Sequence, residues 1–418
     1  MRIAYVVPYV PNLIRTRSYN LINQLASLGH EVALFTLGSN KGERMDAQAL
    51  KGHCREVNYY AQPVWRSLWN SAAALPSGKP LQSVYSWQPA MARYLVARAS
   101  RDEFDIVHVE HLRGSRFGLF LKASLPNVPV VWDSVDCISL LFQQASKQSR
   151  SLSGKFMTRF ELGRTRRAEG DLTCRFDHVL VTAPSDRAAL LGLVSPGKSP
   201  SEISVLPNGV DLAYFRPNPD VQREPETIVF SGKMSYHANI SMVKYLVEEI
   251  MPRIWKVRPA ARMCIVGKDP VPVIKSMARN PLITVTGTVD DIRPFLWRGT
   301  VSVVPLLYGA GIQNKILEAM ATGTPVVTTS QAVSALRAKP GKDLFVGDDP
   351  NDFSRRVLEL IANRDLQKRT ADAGVRYVHA SHSWASIGSQ LVNIYQHVLD
   401  SSSRQIVTLS RPMKHAMP

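Results

Sequence analysis

The chain has 418 residues, 45% of them hydrophobic and 20% charged, which is an ordinary globular composition. A single core rarely grows to this length, so two domains of about 200 residues each are expected. The formal net charge of +17 is larger than solubility requires and favours an anionic partner or surface.

The sequence also excludes several classes of protein. No apolar run approaches the roughly 18 residues that a membrane-spanning helix needs. The apolar start MRIAYVVPYV is soon interrupted by Pro8, Pro11 and Asn12, so it predicts a buried strand rather than a signal peptide. The four cysteines are too scattered to indicate a zinc site or a disulfide framework, and a reducing cytoplasm is expected.

Short apolar runs alternate with helical segments, which is the signature of parallel α/β sheets. In the first half, a helix over residues 17–28 is predicted to end at Gly29. Because open sheets bind ligands beyond the carboxyl ends of their strands, the residues after each strand are the site candidates. Strands in this half are predicted at 2–7, 31–36, 105–109, 128–132 and 178–182.

Charged residues follow two of these strands. The loop PYVPNLIRTRSYN, residues 8–20, supplies Arg15 and Arg17, which could reach an anionic acceptor or donor phosphate, or could be surface charge. The segment VVWDSVDCISLLFQQASK begins at residue 130 and sets Asp133 and Asp136 directly after a buried strand. Capping of the next helix is the simpler role for Asp136.

The strand in FDIVHVEHLRG, residues 104–114, ends in three candidate acid or base groups. Period-two alternation places His108 and Glu110 on one face of the strand, with His111 just beyond its end. The three residues compete for one acid or base role, and each could instead be an ordinary polar group at a strand end.

A strongly basic segment lies between residues 147 and 167, with Glu161 as its single acid and with Phe156, Met157 and Phe160 interleaved. A basic helix with apolar side chains suits the surface of an anionic bilayer, and a solvated basic helix is the alternative. The basic residues are Lys147, Arg150, Lys155, Arg159, Arg164, Arg166 and Arg167.

The switch between domains is predicted in LPNGVDLAYFRPNPDVQREPE, residues 206–226, which separates a first domain at 1–205 from a second at 227–382. A helix at 384–399 is expected to pack back on the first domain, and the tail at 401–418 to be disordered. Strands of the second half are predicted at 227–231, 262–266, 282–286, 300–304 and 325–328, and helices near 239–256, 290–298, 314–322 and 351–363.

The segment YGAGIQNKILEAMATGTPVV, residues 308–327, sets a glycine-rich turn directly before a short helix. Gly309 and Gly311 allow a close approach to an anion, and the helix would direct its unpaired N–H groups at a diphosphate. Glu318 lies on the same helical face as Asn314 and Lys315. One turn below the phosphates, its carboxylate could accept hydrogen bonds from ribose hydroxyls.

The Glu-Ala-Met and Gly-Thr-Pro-Val-Val motifs at residues 318–327 resemble those of the retaining nucleotide-sugar glycosyltransferases of family 4. LPNGVDLAYFRP at 206–217 is similar to the segment that links the two domains in that family, and the resemblance covers nearly the whole chain. Ala310 replaces the first of the family's two glutamates, as in a subgroup that resembles exopolysaccharide-associated sugar transferases. The resemblance implies an α/β fold of two Rossmann-like domains facing a cleft, known as GT-B.

SGKMSYHANISMVKYLVEEIMPRI, residues 231–254, resembles the family's first strand-to-helix junction in the nucleotide-binding domain. Lys233 occupies the position of one diphosphate-binding cation and Ala238 that of the other, so Lys315 is expected to replace the missing charge. The segment around Val289 resembles the border of the nucleobase, and Asp290 is interpreted as a helix cap. The donor-side residues implied by the resemblance are Lys233, Val289, Gly309, Gly311, Ile312, Gln313, Asn314, Lys315 and Glu318.

On the acceptor side, relatives carry a histidine or an acidic residue at the end of the strand that here contains His108. Glu110 falls where the family histidine would align, so all three candidates stay open. The resemblance thus implies a catalytic role for one of Glu110, His111 and His108. The further acceptor-side candidates are Arg15, Arg17, Asp133 and Asp136.

The predicted function is transfer of a sugar from a nucleotide diphosphate sugar to an acceptor hydroxyl with retention of configuration, in exopolysaccharide, glycolipid or related biosynthesis. No cofactor and no metal are expected, because the chain lacks an Asp-x-Asp motif. The helix dipole, backbone amides and Lys315 or Lys233 would stabilise the leaving diphosphate. Two alternatives are a non-catalytic membrane or nucleic-acid adaptor with a degenerate transferase fold, and a nucleotide-sugar epimerase.

The expected partners are a nucleotide-sugar donor and a sugar, lipid-linked or small-molecule acceptor. The basic segment 147–167 predicts contact with an anionic membrane surface. No specific nucleic acid is expected, because the chain has no aromatic stacking array. The predicted location is the cytoplasm, with peripheral attachment to the inner leaflet of the plasma membrane.

Overall fold

The computed structural model describes the backbone of residues 1–13, 15–148, 152–308 and 312–409, and side chains there except in 145–159 and 403–409. The chain forms two compact units. Unit 1 comprises Met1–Leu206 and the chain from Ala385 onward, and unit 2 comprises Pro207–Trp384. Except for Leu206, the predicted linker segment therefore belongs to unit 2.

Unit 1 contains a parallel sheet of seven strands in its described residues. The strands are β1 (Arg2–Val7), β2 (Glu31–Gly38), β3 (Glu56–Ala61), β4 (Ile106–Glu110), β5 (Val130–Val135), β6 (His178–Val181) and β7 (Glu202–Val205). Their spatial order is β3-β2-β1-β4-β5-β6-β7. The helices of the unit are α1 (Thr16–Ser27), α2 (Lys41–Ala49), α3 (Val64–Ala74), α4 (Leu81–Tyr85), α5 (Pro89–Ala99), α6 (His111–Ser124), α7 (Ile138–Gln148), α8 (Leu152–Leu172) and α9 (Pro184–Leu191).

Unit 2 contains a second parallel sheet, with six strands in its described residues. The strands are β8 (Thr227–Ser231), β9 (Arg262–Val266), β10 (Ile283–Val285), β11 (Val301–Val304), β12 (Val326–Thr328) and β13 (Phe345–Val346), in the order β10-β9-β8-β11-β12-β13. The helices are α10 (His237–Tyr245), α11 (Met251–Val257), α12 (Pro272–Lys275), α13 (Arg293–Arg298), α14 (Asn314–Ala321), α15 (Ser330–Val333), α16 (Pro350–Ala362) and α17 (Arg364–Ser381). The last helix, α18 (Trp384–Leu409), runs from the end of unit 2 into unit 1.

The central strands are buried on both faces, which explains why they read as continuous apolar runs rather than as alternating patterns. In β1, all residues after Arg2 are buried, and β8 is buried throughout. Both sheets carry their strands in a doubly wound order with crossover helices, so the two Rossmann-like α/β domains expected from the sequence are confirmed. Gly29, with φ of 81°, ends α1 as predicted.

Several boundaries differ from the prediction. The helix predicted at 239–256 is interrupted by a π-helical turn at Leu246–Ile250. The turn ends two residues before Pro252, which has no N–H to donate to the carbonyl four residues back. The strands β3, β7 and β13 were not predicted, because they are short or only half-buried. The tail predicted to be disordered from residue 401 instead continues α18 to Leu409, and residues 410–418 lie outside the described residues.

No helix in the described part of the chain combines the length and the apolar character that crossing a bilayer would require. The helix α18 contributes to unit 1 as expected, because the Tyr395 hydroxyl lies 2.8 Å from Nδ1 of His108 in β4. The C-terminal helix therefore completes the core of the unit that begins at the N-terminus.

Candidate active site

The carboxyl ends of β4 and β5 bring together three of the predicted residues, His108, Glu110 and Asp133. All three side chains are fully buried, and their candidate ligand atoms lie within 4.8 Å of one another. His108 Nε2 is 3.7 Å from Asp133 Oδ2. Histidine with two carboxylates has the composition of a metal site. Whether these side chains are available to a metal depends on the neighbouring groups that already bind them.

Neighbouring hydroxyl groups occupy the carboxylate of Glu110. The Tyr5 hydroxyl donates to Oε2 at 3.0 Å and the Ser18 hydroxyl donates to Oε1 at 2.9 Å, while Tyr9 also donates to Oε1. Burial, together with the nearby Asp133 charge, raises the pKa of Glu110. These hydrogen bonds make Glu110 an internal anchor that ties β1, β4 and α1 together.

Asp133 and His108 also have internal partners. Arg17 Nε donates to Asp133 Oδ2 at 2.8 Å, and its Nη1 donates to the Leu206 carbonyl at 3.1 Å. Burial lowers the pKa of His108 to about 4, and Tyr395 binds its Nδ1. Arg17 is buried, so the prediction that it could be surface charge is wrong. The three-residue cluster is a buried network in which a guanidinium already supplies the cation.

His111 is the one catalytic candidate that is not fully buried. It is the first residue of α6 and has φ of 66°, a left-handed conformation that side chains other than glycine rarely adopt. Val135, at the end of the neighbouring strand β5, has φ of 67°. Such strain clusters at functional sites, and two strained residues follow adjacent strands here. Burial and the Arg113 charge lower the pKa of His111 to about 4, so its imidazole is neutral at pH 7.

A cavity of about 260 Å³ lies within unit 1, beyond the carboxyl ends of β1, β2 and β3. Arg15 lines it and pairs with Glu43 at 3.2 Å. Arg113 lines it as well, forms no ion pair within the described part of the chain, and has a buried Nε without a hydrogen-bond partner. Burial lowers the pKa of Arg113. Neutral polar side chains complete the lining, namely Ser39, Gln62, Ser67, Tyr85 and Ser86.

The predicted capping role of Asp136 is wrong. The first amides of α7 are bound by Glu169, which accepts from Ile138 N at 2.6 Å, and the preceding Cys137 amide donates to Asp186. Asp136 accepts instead from the Thr182 hydroxyl at 3.3 Å. Burial, and then the Asp186 charge, raise the pKa of Asp136 to about 7. No spacing in the sequence indicates that a carboxylate 31 residues downstream caps this helix.

In unit 2, the carboxyl end of β8 allows a close approach between backbone segments. Gly232 has φ of 151°, and a Cβ added at Gly267 would lie 1.8 Å from the Gly232 carbonyl oxygen. A Cβ added at Gly232 would lie 2.7 Å from Asn239 Nδ2 and 3.2 Å from Lys315 Nζ. Asn239 Nδ2 in turn donates to the Lys233 carbonyl at 2.8 Å. Lys315 of α14 therefore reaches the junction between β8 and α10.

Lys315 and Glu318 are the two charged groups on the inner face of α14. Lys315 Nζ donates to Asn239 Oδ1 at 2.5 Å and lies 4.5 Å from the centre of the Phe230 ring. Burial lowers the pKa of Lys315 to about 7, and the Glu318 charge opposes this shift. Burial raises the pKa of Glu318 to about 7, opposed by Lys315. Both side chains are half-buried, and neither forms an ion pair among the described residues.

The two positions predicted to bind diphosphate in this junction, Lys233 and Ala238, differ in exposure. Ala238 is buried in the first turn of α10, while Lys233 is exposed and lies 3.9 Å from Asp269. Tyr308, at the end of the described stretch before α14, stacks on His237, with its hydroxyl 2.9 Å from the histidine Nδ1. Ala238 thus supplies no cation at this junction, and the amine of Lys315 reaches the same loop.

The helix α14 begins at Asn314, as predicted, and Gly323 with φ of 75° follows its end. No side-chain cap and no acid in the first turn is found at its N-terminus within the described residues. Ile312 is buried and Gln313 is half-buried. Gly309 and Gly311 lie outside the described residues, so the predicted glycine turn stays a prediction.

Near the predicted nucleobase border, the cap at α13 differs from the prediction. Asp291 Oδ1 accepts from the Arg293 amide at 2.9 Å and its carboxylate also pairs with the Arg293 guanidinium, so the capping role given to Asp290 is wrong. Val289 is half-buried in the preceding loop. At the end of β8, the Ser231 hydroxyl is buried and has no hydrogen-bond partner in the described part of the chain.

Two residues near these strand ends were not identified as site candidates from the sequence. Asn239 directly follows Ala238, and Arg113 is two residues beyond His111. Both are single polar residues in helices, where a solvated side chain is the ordinary expectation. Their significance comes from burial and from contacts with residues far away in the sequence.

Two family profiles match the chain. The Glycosyl transferase 4-like domain matches residues 14–209, and Glycosyl transferases group 1 matches residues 225–363. The MMP alpha-(1->4)-mannosyltransferase of Mycolicibacterium hassiacum is 23% identical and covers 90% of this chain and 92% of its own length. The phosphatidyl-myo-inositol mannosyltransferase of Mycobacterium leprae is 25% identical over 49% of this chain, which spans only 56% of that relative.

Solved structures share the fold over nearly the whole chain. Sucrose-phosphate synthase from Thermosynechococcus elongatus has a TM-score of 0.70 at 18% identity and covers 96% of this chain and 100% of its own. HepE of Anabaena in complex with UDP has a TM-score of 0.65 at 13% identity and covers 95% and 100%. These structures and the two parallel α/β sheets show the GT-B fold. The two family profiles, which together cover most of the chain, show that it belongs to the family 4-like glycosyltransferases.

Proposed function

We propose that the protein transfers a sugar from a nucleoside diphosphate sugar to an acceptor hydroxyl with retention of anomeric configuration. Membership of the glycosyltransferase family supports the reaction class. The observation that carries the donor assignment is Lys315, a desolvated amine that reaches the junction of β8 and α10 from the first turn of α14. An amine in that environment gains free energy from an anionic ligand, because ligand charge replaces lost hydration.

In the proposed donor complex, unit 2 binds the nucleotide. The diphosphate lies at the N-terminus of α14 beside Lys315, with Lys233 as an exposed second cation. Glu318, one turn along α14, accepts hydrogen bonds from the ribose hydroxyls. Gly309, Gly311, Ile312, Gln313 and Asn314 form the turn around the phosphates, and the backbone at Val289 borders the base.

During the proposed reaction, the bond between the anomeric carbon and the diphosphate oxygen breaks while the acceptor oxygen bonds to that carbon. The acceptor proton passes to the leaving diphosphate. Lys315, Lys233 and the amides of α14 stabilise the charge that develops on the diphosphate, and no metal or other cofactor is part of this proposal. His111, neutral and at a strained strand end, is the proposed group beside the acceptor hydroxyl, while His108 and Glu110 hold the strand that positions it.

The acceptor in this proposal binds the cavity of unit 1 and carries an anionic group. Arg113 is the supporting observation, because it lines the cavity without an ion-pair partner in the described residues. The hydroxyl and amide groups of the lining would serve neighbouring sugar hydroxyls. The finer assignment to exopolysaccharide, glycolipid or related biosynthesis in the cytoplasm belongs to the same proposal, together with peripheral attachment through the basic segment 147–167.

The transferase activity is tested with a panel of nucleoside diphosphate sugars, scored first by thermal stabilisation and then by transfer to sugar phosphates and lipid-linked sugars. A binding donor raises the unfolding temperature by an amount that grows with the logarithm of its concentration over its dissociation constant. Transfer that is lost in Glu318→Ala and in His111→Ala supports the proposal. An absence of stabilisation by every donor at millimolar concentration would contradict it.

A further inference from the structure

The helix α3 of unit 1 exposes a contiguous apolar face. Trp65 and Trp69 are 69% and 71% exposed, and Val64 and Leu68 are 57% and 59% exposed. These four residues occupy two pairs spaced by four positions, which places them on one side of the helix. Ser67 and Ala74 on the other side are buried. The helix is therefore inverted relative to an ordinary amphipathic helix, because its largest apolar groups face outward.

An exposed patch of this kind calls for a partner. Tryptophan is costly to leave in water, and a patch that contains two tryptophans on adjacent turns is typical of an interaction site rather than of scattered surface residues. The apolar character continues beyond the helix, since Leu75 is 47% exposed. The face also adjoins the proposed acceptor cavity, because Val64 and Ser67 are among the residues that line that cavity.

Positive charge borders the same face. Arg164 of α8 donates to the Leu75 carbonyl at 2.8 Å and to the Lys79 carbonyl at 3.4 Å, which holds α8 against the end of α3. Arg166 and Arg167, on the next positions of α8, are exposed. None of these three arginines has a carboxylate partner among the described residues. Arg164 therefore lies beside the end of the apolar face, and Arg167, three positions further along α8, lies on the same side of that helix.

We infer that unit 1 docks on an anionic phospholipid bilayer through the α3 face, the residues Val64, Trp65, Leu68 and Trp69. Indole rings prefer the boundary between hydrocarbon and head groups, and neighbouring arginines gain from anionic head groups at that depth. A protein partner or a second copy would accept the apolar face, but would not explain the adjacent unpaired cations as directly. The inference refines the membrane attachment proposed for segment 147–167, to which these arginines belong. It does not depend on the proposed reaction, because Trp65, Leu68 and Trp69 do not line the acceptor cavity.

The docking is tested by vesicle flotation of the full chain with phosphatidylcholine alone and with mixtures of phosphatidylcholine and phosphatidylglycerol. The wild-type protein is expected to float with the mixed vesicles and to do so much less with the neutral ones. The double variant Trp65→Ser/Trp69→Ser is expected to lose at least about tenfold in partitioning, because two indole rings no longer enter the interface. Val257→Ser, at a site in unit 2 that is 61% exposed, is the matched control and should float like the wild type.

A second measurement separates docking from loss of folding. Brominated lipids in the mixed vesicles should quench tryptophan emission of the wild type and leave that of the double variant nearly unchanged, while both proteins unfold at the same temperature. Arg166→Gln/Arg167→Gln should weaken flotation with the anionic vesicles only. Equal flotation of the wild type and the tryptophan double variant would overturn the inference. It would also be overturned if the wild type bound neither kind of vesicle and formed a dimer that the double variant does not form. Donor binding is expected to stay unchanged in the tryptophan variant, so failure here leaves the proposed reaction untouched.

Discussion

The two sheets present charged residues at equivalent carboxyl edges, but in opposite states. In unit 1, Asp133 is paired with Arg17 and Glu110 is held by three hydroxyls. In unit 2, Lys315 and Glu318 are desolvated and have no ion-pair partner in the described residues. Similar residue types at similar topological positions therefore serve different purposes.

The contrast separates charged residues that stabilise the fold from charged residues that can bind a ligand. A buried ion pair adds little net stability, because both charges lose their hydration. Removal of one partner nevertheless lowers the free energy of unfolding strongly, because the other charge stays buried alone. A half-buried ion without an ion-pair partner keeps part of its desolvation cost in the empty protein, and a ligand that binds it can recover that free energy. The first edge is expected to respond to substitution in stability, and the second in ligand binding.

The largest effect is expected for Arg17→Met. Loss of the guanidinium leaves Asp133 buried without its cation and should lower the free energy of unfolding of unit 1 by about 3–5 kcal/mol. Arg2→Met is the matched control in the same unit, because its pair with Asp105 has side chains 44% and 31% exposed. That substitution should cost at most about 1 kcal/mol. Denaturant unfolding measures both, and equal small losses would remove the distinction between the two edges.

Glu318→Gln should act on binding instead. If the carboxylate accepts hydrogen bonds from ribose, its replacement costs about 1.5–3 kcal/mol, or roughly 10- to 150-fold in donor affinity. The free energy of unfolding of the empty protein should not fall, because a desolvated carboxylate is removed. Glu359→Gln, at an exposed position of α16 in the same unit, is the control and should leave affinity unchanged. Calorimetric titration with the donor identified in the panel checks this, and unchanged affinity in Glu318→Gln would contradict the ribose role.

Lys315→Met should weaken binding of the nucleoside diphosphate about tenfold or more, and of the unphosphorylated nucleoside hardly at all, since the lost amine contacts phosphate. Lys233→Met should weaken diphosphate binding only about two- to threefold, because an exposed cation is screened by solvent. Titrations with both ligands measure the ratio. A larger loss for Lys233→Met than for Lys315→Met would reverse the assignment of the principal cation.

A pH dependence of the stability of unit 2 is also expected. Burial raises the pKa of Glu318 to about 7, so between about pH 4.5 and 7 the folded state binds a proton that the unfolded state has released. Stability from this group is therefore present at low pH and is lost as pH rises to 7. The stability of Glu318→Gln relative to wild type should increase over this window and stay constant above it. Thermal unfolding across pH 4.5 to 8 measures the difference, and a decrease over the window would contradict the desolvation of Glu318.

The sequence predicted most of the fold, because buried parallel strands are continuous apolar runs and the helices between them end at turn residues such as Gly29 and Gly323. It missed β3, whose residues are mostly half-buried, and β13, which has two residues. It also placed the tail after residue 400 outside any helix, because a serine-rich start suggests a solvated segment. Tertiary packing decides all three cases, and local pattern does not report it.

For the site, the sequence identified the helix with Lys315 and Glu318, because helical spacing places both on one face. It could not rank His108, Glu110 and His111, since the partners of Glu110 come from β1 and α1, about 100 residues away in the chain. For the same reason it could not show that Glu169 caps α7 or that Arg113 lines a cavity. Long-range hydrogen bonds and burial are properties of the folded chain.

The claim that Lys315 and Glu318 of α14 bind the donor is tested most directly by hydrogen–deuterium exchange of the full chain with and without the donor found in the panel. We expect slower exchange on donor binding in two segments of unit 2, the junction at 231–241 and the start of α14 at 313–318. No change is expected at 104–112 in unit 1 with donor alone, because the carboxylate of Glu110 already has its partners within the unit. Protection confined to unit 1, or protection in unit 2 that persists in Glu318→Gln with equal donor affinity, would contradict the claim that the desolvated pair on α14 binds the donor.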